Sequence, residues 1–254
     1  MFAIHRNALN AALVLSLATF LGACQPPVEE EGADPEVRRA AIRAGMKIVS
    51  LAHEIIARIQ DGRISGSLQQ TVAAGLHGSS EQELRQIGQK MFPLPEAKAG
   101  EKLPSVSDLI DRKGDAQNGR LVFNTAGTCH KCHVVNRIGR NLGPDLSEIG
   151  SKLSRKAMLE SVLFPSAGIS HNYDGWTLLL ANGTTLTGLI SSETDERVTL
   201  IDNEAILHTV EMHDIEEKIR QSVSLMPADL QKIMTTQELI DVVAYLETLK
   251  KAAK

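Results

Sequence analysis

The sequence predicts a mainly α chain: an N-terminal helical segment, then a second helical region into which a small antiparallel β subdomain is inserted. Three observations predict it. From Val37 to Gln60 the residues Ala41, Gly45, Ile48, Ala52, Ile55 and Ile59 recur every three or four positions, a helical stripe. Between Tyr173 and Val210 the pattern becomes short runs with period-two features, WTLLL, TTLTGLI, RVTLI and AILHTV. Near the C-terminus Thr235 and Glu238 have the spacing of a capping box ahead of Leu239, Val242, Val243, Leu246 and Leu249, one apolar helix face.

The chain has 254 residues, 43% hydrophobic and only 3% aromatic, enough for one modest core with smaller appendages. Its formal net charge of -4 sets aside nucleic-acid binding, which calls for a basic domain or stripe.

Residues 1–23 read as an export signal. Met1 to Asn7 carries His5 and Arg6, Ala8 to Phe20 is almost wholly apolar, and Leu21-Gly22-Ala23 precedes Cys24. The apolar run has the length of a signal-peptide core and is short for a bilayer span, a transmembrane anchor being the other reading. LGAC resembles the lipobox of bacterial lipoproteins, in which cleavage before the cysteine leaves its thiol carrying a diacylglycerol. The resemblance makes Cys24 the lipidated first residue of a protein held on the periplasmic side of a bacterial membrane. Residues 24–36, rich in Pro and Glu, bury too little apolar surface to order themselves and read as a tether of up to roughly 40 Å.

Residues 37–104 form the helical segment and a linker. After the first stripe come helices over Leu68 to Leu76 and Ser80 to Met91, the latter with Ser80 and Glu83 at capping-box spacing. The segment is distantly similar to helical repeat pairs of the HEAT type; its plain reading is a spacer or packing partner. Phe92-Pro93-Leu94-Pro95 opens a linker to Pro104. In residues 105–254 a helix is expected from Asp108 to Thr125, with Leu109, Ala116, Gly119 and Phe123 at contact positions. Another should run from Ser154 to Leu163 and end at Phe164-Pro165, because proline disfavours helical geometry in the residue before it. The β insertion spans about 172–213, with turns at Ala181-Asn182-Gly183 and Asp202-Asn203.

Chemistry concentrates in Cys129-His130-Lys131-Cys132-His133, the C-x-x-C-H pattern of covalent haem attachment. Two thiols one short turn apart can each add across a haem vinyl group, and the next residue then aims its imidazole at iron. A redox C-x-x-C pair would want a βαβ context and a zinc site a second pair of ligands; neither context is present. A Cys129–Cys132 disulfide is the remaining competitor in an oxidising compartment. The chain has three cysteines, so one for lipid and two for haem leave none spare.

Iron then has a sixth ligand or an open position, a choice that separates electron transfer from catalysis. Met226, in Ser-Leu-Met-Pro shortly before the C-terminal helix, is the best candidate. Met46, Met91, Met158 and Met234 read as core filler, whereas Met212, His171, His208 and His213 are the alternatives.

From Gly114 onward the chain resembles a class I cytochrome c. In that family a glycine and an aromatic of the N-terminal helix cross the C-terminal helix beside another aromatic, matched by Gly119, Phe123 and Tyr245. A G-P-D/N-L segment whose proline carbonyl holds the proximal imidazole is matched by Gly143-Pro144-Asp145-Leu146. The methionine loop is matched at Met226. The closer likeness is to the haem-binding domain at the C-termini of large membrane-bound dehydrogenases, after helical repeats. The departure is that His133 and Met226 stand 93 residues apart, with the strand-rich segment, which resembles an SH3-like barrel, between them.

The resemblance implies a mainly α cytochrome c fold with that β subdomain inserted. It also implies one haem c, held by Cys129 and Cys132, with His133 and Met226 on iron and Pro144 orienting His133. The expected function is a single-electron carrier rather than an enzyme, with a redox partner that is a sugar or alcohol dehydrogenase. The alternatives are a haem enzyme or gas sensor with an open distal site, and a scaffold in which haem is structural. Lys131, Arg137, Arg140, Lys152, Arg155 and Lys156 outnumber Asp145 and Glu148 in the same stretch, a patch suited to steering an acidic partner.

Overall fold

A computed structural model describes residues 34–64 and 66–251; the expected signal segment, Cys24 and the tether up to residue 33 lie outside them. Four helices come first: α1 (Pro35–Gly45), α2 (Val49–Gln60), α3 (Gly66–His77) and α4 (Gln82–Met91). They close on a core of their own that includes Ile42, Ala52, Ile55, Val72, Leu76 and Leu84. The single stripe expected over 37–60 is two helices. The chain breaks at Met46, which is buried against α3 so closely that a Cβ on Gly75 would lie 2.8 Å from it. The Ser80–Glu83 capping box does not form. Ser79 Oγ instead accepts from the Glu81 N–H at 3.1 Å, and Arg85 donates to the carbonyls of Ser79 and Ser80.

The second core joins α5 (Val106–Ile110), α6 (Ala116–Asn124), α8 (Arg155–Leu163) and α9 (Thr236–Thr248), with α7 (Ile149–Lys152) at its edge. The long helix expected over 108–125 is interrupted. Asp115 caps α6 by accepting from the Gln117 N–H at 2.8 Å, and Gly114 lies so close to α9 that a Cβ would meet the Ile240 carbonyl oxygen at 2.7 Å. The α6–α9 crossing is tighter still at Gly119, where a Cβ would stand 1.8 Å from the Asp241 carbonyl oxygen. The Phe123 and Tyr245 rings meet edge-on beside it, 5.6 Å between centroids. The carboxylate of Asp241, 2% exposed, seals the crossing by accepting from the Asp115 N–H, Asn118 Nδ2 and Gln237 Nε2 at 2.7–2.8 Å. At the start of α9 the Thr235–Glu238 capping box forms as its spacing predicts.

The strands correct the expected fold class. Among the described residues nine α-helices stand beside a five-stranded antiparallel sheet and a two-stranded hairpin, so the structure is mixed α and β, not a mainly α cytochrome c fold. The larger sheet comprises β3 (Gly175–Leu180), β4 (Thr185–Glu193), β5 (Arg197–Ile201), β6 (Leu207–Glu211) and β7 (Ile215–Arg220), in the order β6-β5-β4-β3-β7. It buries its own core, with Leu178, Val198 and Leu200 fully enclosed. β7, Ile-Glu-Glu-Lys-Ile-Arg, escapes a search for apolar alternation because it is an edge strand rich in charged residues, with Glu216 and Glu217 exposed and Lys218 and Arg220 in ion pairs, and it carries the sheet to Arg220. β7 returns to pair with β3, and the Gln221 N–H donates to the Gly175 carbonyl at 2.8 Å. The segment therefore leaves the helical core and re-enters it at neighbouring points. No helix among the described residues is long and apolar enough to cross a membrane.

Candidate functional site

The C-x-x-C-H stretch follows α6 directly. Thr128, with φ at 54°, turns the chain into a 3-10 turn over Cys129–Lys131, and the N–H groups of Cys132 and His133 both donate to the Cys129 carbonyl. The hairpin of β1 (Val134–Val135) and β2 (Ile138–Gly139) comes next, its turn made by Asn136 and Arg137 with φ at 51° and 70°. Gly139, with φ at 116°, passes the His133 carbonyl so closely that a Cβ would stand 2.1 Å from it. The chain then doubles back, and the N–H groups of Leu142 and Gly143 donate to the Cys132 carbonyl at 3.0 and 2.7 Å.

That doubling back brings Pro144 to His133. The imidazole Nδ1 lies 2.8 Å from the Pro144 carbonyl oxygen. A carbonyl only accepts, so Nδ1 carries the proton and Nε2 is left with a lone pair and no hydrogen bond among the described residues. Gly143 makes the approach possible, because a Cβ there would meet the ring at 2.6 Å. Burial lowers the imidazole pKa, against the opposing pull of the Pro144 carbonyl, so the ring is neutral at physiological pH.

Both thiols are free, which removes the Cys129–Cys132 disulfide as a description of this structure. Burial pushes Cys129 up to about 12 and raises Cys132 as well. A dithiol redox centre has the opposite electrostatics, a thiol lowered by neighbouring charge. Among the described residues no group of three or more His, Cys, Asp or Glu side chains converges to hold a metal ion. The thiols and His133 do not themselves form a zinc cage.

Met226 lies in the loop between β7 and the 3-10 turn over Leu230–Ile233 and packs, as Cys129 does, against the α5–α6–α8–α9 core. Of the alternative distal ligands, His208 Nε2 lies 2.7 Å from Asp202, Met212 packs on the sheet core, and His171 and His213 are exposed. Met46, Met158 and Met234 are buried as core residues, and Met91 packs on the helical core. Cys24 lies outside the described residues.

Cys129, Cys132 and His133, wound into one loop, suit a covalently held haem, and Met226 packs on the same core as Cys129. All four are packed on a hydrophobic core or wound into its loop, yet each stays partly exposed, and two free thiols precede an imidazole fixed in the tautomer that leaves Nε2 available as a ligand. Sequence reasoning missed how much lies behind Met226. The Ser222 carbonyl, the Ser224 N–H and the Met226 N–H are bonded by Arg39, Ser166 and Ser224 respectively. No local pattern marks Arg39 or Ser166 for this work. The basic patch is also smaller than the charge count implies. Arg155 pairs with Glu247, and Lys156 pairs with Glu160 and donates to the Gly78 carbonyl, leaving Lys131, Arg137, Arg140 and Lys152 exposed, Arg140 also donating to the Glu204 carbonyl. No protein-family model matches the chain, and no curated protein matches it.

Proposed function

We propose that the chain is a monohaem c-type electron carrier, exported and lipid-anchored through Cys24 at the periplasmic side of a bacterial membrane. On this reading it exchanges single electrons with a redox partner protein, a sugar or alcohol dehydrogenase by analogy. The observation that carries the reading is the His133 Nδ1–H donating to Pro144 beside two unpaired thiols, an arrangement that leaves Nε2 as a ligand and the thiols free for thioether bonds. Cys129 and Cys132 would hold the haem, His133 and Met226 would ligate its iron, and Pro144 would keep the imidazole oriented. Haem, when bound, supplies a one-electron iron couple.

The chain's own residues do the rest. The 3-10 turn and the Pro144 carbonyl supply the hydrogen bonds to His133 itself. The thioether of Met226 would favour ferrous iron and raise the reduction potential, and with His133 and Met226 both holding the iron no position would be left for a substrate, which is why the reading is a carrier and not an enzyme. Covalent attachment is tested by extraction. Haem in the denatured holoprotein should resist acidified organic solvent, and Cys129→Ser combined with Cys132→Ser should release all of it. Intact haem extracted from the wild type would overturn the proposal.

A further inference from the structure

The N-terminal helices reach the loop that carries Met226. Helix α1 presents Glu36, Arg39 and Arg43 at helical spacing, and Arg39 is only 1% exposed. Its guanidinium pairs with Glu36 at 3.3 Å and donates to the Ser222 carbonyl at 2.8 Å. Arg43, paired with the other oxygen of Glu36, donates to the Ala167 carbonyl at 2.8 Å. Ser166 links the two ends: its N–H donates to Gln70 Oε1 of α3 at 3.0 Å, and its Oγ accepts from the Ser224 N–H at 2.9 Å. Ser224 Oγ in turn accepts from the Met226 N–H at 3.1 Å.

A buried guanidinium is an expensive way to fill space, since an apolar side chain of the same volume packs without the loss of hydration. What Arg39 supplies that an apolar side chain cannot is a charged donor to one backbone carbonyl, four residues before Met226. We propose that the N-terminal helical segment is a clamp on the Met226 loop, with Arg39 its positioning residue, so that Met226 meets iron only while α1 and α3 are docked. The inference rests on the electron-carrier reading and assigns to the helical segment a role beyond spacing.

The test uses the full-length holoprotein, with carbon monoxide affinity of the ferrous form and amide hydrogen exchange at Ser224 and Met226 as readouts. Arg39→Met should raise carbon monoxide affinity about tenfold, the scale set by losing a hydrogen bond from a charged donor, and should speed exchange at both amides. Arg39→Lys, which keeps a charged donor, should recover most of the difference. Ser166→Ala should raise the affinity about threefold and carries the test if Arg39→Met fails to fold. Unchanged affinity and exchange in Arg39→Met and Ser166→Ala, in a protein whose iron Met226→Ala does open to carbon monoxide, would overturn the clamp alone. If Met226→Ala binds carbon monoxide no better than wild type, the electron-carrier reading fails first and the clamp with it.

Discussion

The hydrogen bonds that fix His133 itself come from its own neighbours in sequence, with more distant ties only further along its loop at Arg140 and Asn141, whereas the Met226 loop is held in part from across the molecule. His133 is fixed by the Cys129 carbonyl four residues earlier and by Pro144 eleven residues later. The bonds around Met226 come from Ser224 nearby, but also from Ser166, 58 positions before Ser224, and from Arg39, 183 positions before Ser222. The difference is one of folding order and of control. A locally wound loop can form as soon as its own residues collapse, while a loop held by distant side chains takes its position only when those elements have docked. On the electron-carrier reading, His133 would be positioned by its neighbours in sequence and Met226 only once distant elements had docked.

The largest effect should come from the one place that serves both loops. α6 leads into the C-x-x-C-H turn and α9 follows the Met226 loop, and the two helices meet at Gly119. Gly119→Val puts its side chain into the Asp241 backbone, which cannot give way as a flexible side chain would. It should cost about 3 kcal/mol, seen in denaturant unfolding, and weaken both loops together. A stable Gly119→Val protein would mean that the α6–α9 crossing can slide apart without loss.

Gly143→Ala separates the loops. Its Cβ would lie 2.6 Å from the His133 ring, so either the imidazole or the Pro144 segment must move. The expected cost is about 1–3 kcal/mol, with exchange accelerated at the amides of Leu142 and Gly143 but not at those of Ser224 and Met226. Acceleration at all four would contradict the independence of the two loops.

The smallest effect is one of pH at the helix crossing. Burial raises the Asp241 pKa, but hydrogen bonds from Asn118, the Asp115 N–H and Gln237 outweigh it, so the carboxyl sits below its ordinary value. A lowered carboxylate stabilises the fold above its unfolded pKa of about 3.9 and loses that contribution as the pH falls through its folded value. Asp241→Asn should therefore narrow the difference in unfolding midpoint between pH 7 and pH 3. An unchanged difference would assign the acid sensitivity to other carboxylates.

The same contrast governs what could be read from the sequence. The C-x-x-C-H spacing, the Gly143-Pro144 segment and the Thr235–Glu238 cap are local patterns, and their residues meet in the structure as neighbours along the chain. The break between α5 and α6 was not legible, because Gly114 is fitted to Ile240 on a helix far away in sequence. Neither was β7, whose exposed charges hide its pairing with β3. Arg39 is one of three arginines close together in α1, and nothing local sets it apart as the buried one. The mainly α expectation failed for a related reason: period-two runs locate strands, but they do not count the edge strand that completes the sheet.

Closure of the iron by Met226, as we propose it, is read from carbon monoxide binding by the ferrous holoprotein at neutral pH. The wild type should bind it weakly and Met226→Ala readily, and the ferric wild type should show a sulfur-to-iron charge-transfer absorption that the variant lacks. A wild type that binds carbon monoxide as readily as Met226→Ala and shows no such absorption would contradict closure by Met226.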